Sequence, residues 1–111
     1  MILAFADDSS VTVFDDVAQA NRYCEGADVE NGVWTFTDER GYFFKPIFTE
    51  PKERKVLFGL ASISSDPFTL ILTGQRNTQL LEDVLAGRIS VDNGPTKIQT
   101  NDQLKDVLRL G

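Results

Sequence analysis

The sequence predicts an α+β fold: a single antiparallel sheet, about a four-stranded meander, with an N-terminal helix and two C-terminal helices packed mainly on one face. Three observations predict it. β-Favouring runs separated by turn residues fill the middle of the chain, from Val33 to Thr73. Apolar residues at helical spacing precede them, at Val17, Ala20 and Cys24, and follow them from Leu80 onward. Composition is the third. With 111 residues, 41% hydrophobic and 25% charged, the chain has the balance of one globular domain, 1–111, and core material for one only.

Taken in order, Ile2 to Ala6 is an apolar run fit for a short strand, and Asp7-Asp8-Ser9-Ser10 breaks it as a turn. Val11 to Val13 reads as a second short strand or as a lead into the next helix. That helix starts at Asp15 or Asp16. Asp16 with Gln19 has the spacing of a capping box, and Gly26 is the expected stop. Asn31-Gly32 is a turn. Val33 to Thr37 and Tyr42 to Phe48 then read as a hairpin closed by Asp38-Glu39-Arg40-Gly41, with Gly41 at positive φ. Pro46 cannot donate to a ladder, which predicts an edge, a bulge or the end of pairing there.

A charged connector, 51–55, leads to a third predicted strand, Val56 to Ile63, with Gly59 as a bulge position. Ser64 to Pro67 is a turn. Phe68 to Thr73 is the fourth strand, ended by Gly74. Asn77 or Thr78 caps a helix carrying Leu80, Leu81, Val84 and Leu85 on one face, with Gly87 as its stop. Ile89 to Val91 is ambiguous, Asp92 to Pro95 is a turn, and Thr96 to Gln99 is extended or loop. Thr100 with Gln103 is a capping box for a last helix whose buried stripe is Leu104, Val107 and Leu108.

Charge is unevenly placed. Residues 1–50 hold ten acids and three bases, a balance of −7, and residues 51–111 hold seven acids and eight bases, a balance of +1, which together make the −6 of the chain. An acidic half repels phosphate backbones, so direct nucleic-acid binding is not expected. It attracts a basic protein. The single cysteine allows no intrachain disulfide and fits a reducing compartment. The short run before Asp7 lacks a signal-peptide core, and no apolar run reaches membrane-spanning length. The expected location is the cytoplasm.

With no histidine and one cysteine, the sequence excludes a Ser-His-Asp triad, a Cys-His pair, and imidazole or multi-thiolate zinc sites. No dinucleotide or phosphate-loop motif occurs. Asp92-Asn93-Gly94 lacks the spaced acids and terminal Glu of a calcium loop, and Pro95 interrupts it. Cys24, on the apolar stripe of its helix, reads as a small core residue. The adjacent acid pairs, Asp7-Asp8, Asp15-Asp16 and Asp38-Glu39, suit turns and caps better than the facing carboxylates of a hydrolase. No cofactor and no metal are expected. Around the hairpin, by contrast, acids stand beside Trp34, Tyr42 and Phe43, which is interface material.

The order of these motifs resembles small bacterial immunity proteins of contact-dependent inhibition and related polymorphic-toxin systems. The resemblance lies in the first predicted helix, in Asp28-Val29-Glu30-Asn31-Gly32-Val33-Trp34-Thr35-Phe36, in the acidic turn Asp38 to Gly41, in Pro46-Ile47-Phe48, and in a final helix after the turn at Asp92. It implies a cytoplasmic, non-enzymatic antitoxin that binds one cognate toxin domain. Such toxins are often nucleases with basic surfaces. On that reading Asp7, Asp8, Asp28, Glu30, Asp38 and Glu39 meet the Lys and Arg residues of the partner, with Tyr42 beside them. The alternatives are a secretion chaperone or adaptor, and a small carboxylate-dependent enzyme.

Overall fold

The computed structural model describes residues 1–24, 26–48 and 68–110, with the backbone alone for 27, 109 and 110. Its centre is β1 (Ile2–Ala6), which pairs antiparallel with β2 (Ser10–Phe14) on one side and with β3 (Trp34–Thr37) on the other. β4 (Tyr42–Phe48) follows β3 antiparallel, and β5 (Phe68–Arg76) follows β4. A two-residue β6 (Ser90–Val91) runs parallel to β2. The order across the sheet is β5-β4-β3-β1-β2-β6.

This is an α+β fold with one sheet, as expected. Three particulars differ. The sheet is mixed, because β6 is parallel to β2, and it has six strands among the described residues. The meander has β4 pairing directly with β5, and the expected strand at 56–63, with its flanking connector and turn, lies outside the described residues. The helices also cover both faces of the sheet.

The last difference follows from β1 and β2. Ile2, Leu3, Ala4 and Phe5 are all buried, as are Val11, Thr12, Val13 and Phe14. Successive side chains of a strand point to opposite faces, so two adjacent strands with apolar residues on both faces need cover on both. Ile2, Ala4 and Phe14 pack with Phe36, Phe68, Ala20, Cys24 and Val29. Those last three come from α1 (Val17–Tyr23), with its cap at Cys24, and α2 (Gly26–Glu30). Leu3, Phe5, Val11 and Val13 pack on the other face with Leu81, Val84, Ile89 and Leu104. Leu81 and Val84 belong to α3 (Gln79–Leu85), and Leu104 to α4 (Asn101–Leu110).

The caps follow the sequence. Asp16 accepts the N–H of Gln19 at 2.9 Å, and Gln19 returns its side-chain oxygen to the N–H of Asp15, one residue earlier than a standard box. Thr100 and Gln103 form the reciprocal box in full. Asn77 accepts the N–H of Gln79 at 2.8 Å, and Gly87, at φ +80°, closes α3. Gly26 does not stop α1. The helix ends at Cys24, and Gly26 is the buried first residue of α2. Gly74 does not end β5 either. The register slips between the pairs Phe44–Leu72 and Tyr42–Arg76, and that irregularity absorbs the glycine. Pro46 lies beyond the two residue pairs that join β3 to β4, where pairing with β3 has ended.

Among the described residues no helix is long and apolar enough to cross a membrane.

Because the two apolar clusters lie on opposite faces, they should respond independently. Phe36→Ala should cost about 3–5 kcal/mol and Leu104→Ala about 2–5 kcal/mol. The double variant should be additive within about 0.5 kcal/mol, measured by urea unfolding.

Candidate functional site

The residues expected to meet a partner fall at two opposite ends of the sheet. The register sets this. Ala6 of β1 lies opposite Trp34, and Leu3 lies opposite Thr37, so the β1–β2 turn sits at the end where β3 begins. Asp7, Asp8 and Glu30 share that end. Asp38, Glu39 and Tyr42 lie at the other, separated by the length of β1, about 13 Å at ~3.3 Å per residue.

At the first end Asp7 and Asp8 are exposed on the turn. The Ser10 hydroxyl donates to the Asp8 carboxylate, and Ser9 takes a left-handed conformation at φ +64°. The Ser9 carbonyl accepts the N–H of Ser90, which ties the turn to β6. Glu30 is exposed at the last position of α2. Asp28 is half-buried in the same helix, and its carbonyl accepts the N–H of Val33 at 3.0 Å, which fixes the path into β3.

At the second end Asp38 is turned inward, 5% exposed. One carboxylate oxygen accepts the N–H of Arg40 at 2.8 Å and that of Tyr42 at 3.0 Å. The other receives Nε and Nη2 of Arg40 at 3.2 and 2.9 Å. Burial pushes this carboxyl up, but the two backbone N–H groups and the Arg40 guanidinium outweigh it and hold it below its ordinary value. Asp38 is thus a turn-forming residue with its lone pairs engaged. The Asp38–Gly41 turn closes as a tight hairpin, with Asp38 N–H donating to the Tyr42 carbonyl at 2.9 Å. Gly41 has φ +92°, and the N–H of Asn77 reaches its carbonyl at 3.0 Å. A Cβ there would stand 3.1 Å from the Asn77 carbonyl oxygen, so both the conformation and the close approach call for glycine.

Glu39 is half-buried, 3.6 Å from the Met1 amine. Two guanidiniums approach the Tyr42 ring, Arg40 at 5.2 Å and Arg76 at 5.7 Å from its centroid. Arg76 donates Nε to the Arg40 carbonyl at 2.8 Å. Beside this stack opens a cleft of about 220 Å³ lined by Glu39, Arg40, Arg76, Glu82, Leu85 and Leu108, among others. Sequence reading did not single out Arg40, Arg76 or the cleft. An Asp followed two residues later by Arg and three later by Gly is the one local pattern that points to them, since such an Asp commonly accepts from the backbone two residues on.

Cys24 is buried, and burial, with the Asp28 charge adding to it, pushes its thiol up to about 12. At neutral pH it is a thiol packed in the core. Among the described residues no three His, Cys, Asp or Glu side chains stand where they could hold a metal ion.

No family model, no curated protein and no solved structure matches this chain.

Asp38→Ala strands two part-buried N–H donors and removes the Arg40 partner, and should cost about 2 kcal/mol at pH 7. A carboxyl held low in the fold stabilises above its unfolded value and loses that contribution as pH falls through the folded one. The gap between wild type and variant in urea unfolding should therefore narrow below about pH 4. Native Cys24 should resist iodoacetamide at pH 8, whereas the urea-unfolded chain should be alkylated quickly, as read by mass spectrometry.

Proposed function

We propose that this chain is an immunity protein: a non-enzymatic antitoxin that acts in the cytoplasm by binding one cognate toxin domain with a basic surface. The observation that carries the reading is the exposed Asp7-Asp8 pair on a turn held by Ser10 and by β6, at the same sheet end as exposed Glu30. A carboxylate held as Asp8 is by Ser10, on a turn tied to β6, meets Lys or Arg without losing much conformational freedom on contact. They also belong to the half of the chain with the −7 balance, whose field speeds encounter with a positive partner.

The acids at the far end do not require a second partner. An ordinary interface buries about 800 Å² on each side, a patch about 30 Å across. One toxin domain would span the distance from the Asp7-Asp8 turn to Glu39 and Tyr42, which exceeds the roughly 13 Å length of β1 by a residue or two at each end. Asp38 enters this reading as the residue that shapes the turn presenting Glu39 and Tyr42, because its own carboxylate is engaged by Arg40. A partner with nuclease activity fits best, since a surface that binds nucleic acid is already positive.

The test is co-expression with the toxin domain encoded beside this chain. The wild type should restore growth and form a one-to-one complex. Asp7→Lys with Asp8→Lys should slow association about tenfold and flatten its salt dependence, followed by stopped-flow mixing at two ionic strengths. Failure of the wild type to bind or protect overturns the reading. Binding to a secretion segment of the neighbour, with the toxin domain still active, selects the chaperone alternative.

A further inference from the structure

We infer that the cleft beside the β3–β4 turn receives an acidic side chain of a partner protein together with an adjoining aliphatic or aromatic side chain, the carboxylate meeting Arg76. The inference rests on the reading that this chain binds a protein.

Size comes first. At about 220 Å³ the cleft is below the ~300–1,000 Å³ of ordinary small-molecule pockets, and it is open to the surface. One or two side chains fill such a space. Its apolar floor is Leu81, Leu85 and Leu108, with Leu85 40% exposed. An exposed leucine at the mouth of a cleft gives an incoming apolar side chain a contact that water does not supply.

Charge then selects the companion group. Arg40 is engaged by Asp38 through Nε and Nη2. Arg76 is not paired with a carboxylate among the described residues. Its Nε is held by the Arg40 carbonyl at 2.8 Å and its guanidinium lies over the Tyr42 ring. The guanidinium is thus anchored through Nε on an exposed residue, and no hydrogen bond from its Nη groups occurs among the described residues, which leaves them to a carboxylate. Glu39 and Glu82 line the same cleft. They repel a multiply charged anion such as phosphate and leave room for a single negative charge at Arg76. Of the two arginines that line the cleft, Arg40 is paired with Asp38 and Arg76 has no carboxylate partner among the described residues, so a docking pose that places a carboxylate against Arg76 is favoured over one that does not.

The probe is the blocked dipeptide N-acetyl-Glu-Leu-amide, titrated into the isotope-labelled full chain and followed by NMR. It should give saturable shifts at the Arg76 Nε–H and at the methyls of Leu81, Leu85 and Leu108. N-acetyl-Gln-Leu-amide should bind about fivefold more weakly, the ceiling for an exposed charge pair. Arg76→Gln should remove the preference for Glu with the remaining spectrum unchanged, and Arg76→Lys should keep part of it. Equal binding of the Gln probe, shifts confined to other residues, or undiminished preference in Arg76→Gln overturns the inference. Inorganic phosphate binding more tightly than the Glu probe overturns the choice of occupant. The measurement needs no toxin. A chain that takes the probe but fails to protect cells loses the antitoxin reading alone, and one that protects cells but ignores the probe loses the cleft alone.

Discussion

Burial of β1 on both faces is the constraint from which the rest of the architecture follows. Four consecutive apolar residues, Ile2 to Phe5, sit between two neighbouring strands and have no solvent side. Each face therefore needs a helical layer, and the chain supplies one from before the β3–β4 hairpin and one from after β5. Once both layers are in place, neither face of β1 remains open, and the exposed residues described lie on the turns at the strand ends, on the β4–β5 side of the sheet and on the outer faces of the helices. The charged turns that hold Asp7, Asp8, Asp38 and Glu39 lie at the strand ends.

At one rim, electrostatics serve the fold before they serve a partner. Asp38, Arg40, Tyr42 and Arg76 form a chain of contacts in which each charge fixes the next: carboxylate to backbone and guanidinium, guanidinium over ring, second guanidinium to the first residue's carbonyl. A buried carboxylate with all of these partners is stable where an unpaired one would not be. The other rim is organised differently. The Asp8 carboxylate is held by the Ser10 hydroxyl and the turn by the Ser9 carbonyl's bond to β6, with both acids exposed.

Much of this was legible in the sequence where the physics is local. The Thr100–Gln103 box, the Asp16 cap, the Gly87 stop, the hairpin and the positive φ of Gly41 depend on residues within four of one another. What was not legible depends on distant partners. The run Ile2–Ala6 has no alternation, so nothing local marks it as the central strand. Ser90–Val91 is too short for any pattern, and becomes a strand because β2 offers an edge and Asn101 accepts the N–H of Val91 at 2.9 Å. Gly26 looked like a helix stop because glycine usually is one. Here it opens a second helix at a buried position. The acids showed their sign but not their direction, and Asp38 points inward while Asp7 and Asp8 point out.

The side chain of Asn21, on α1, donates to the Phe68 carbonyl at 2.6 Å and accepts the Phe68 N–H at 2.9 Å. These are the two bonds a further strand would make with that residue. In an antiparallel pair a residue turns both backbone groups the same way, so at Phe68 they turn away from β4, toward the outer edge of β5. A helical amide thus imitates a strand and occupies the first rung of an edge that carries no charged side chain until Arg76. Among the described residues no other strand pairs with this edge, and uncharged edges are where chains pair with one another and aggregate. Asn21 closes the rung nearest the start of β5, and so contributes to solubility by a hydrogen-bonding route independent of the protein's negative charge.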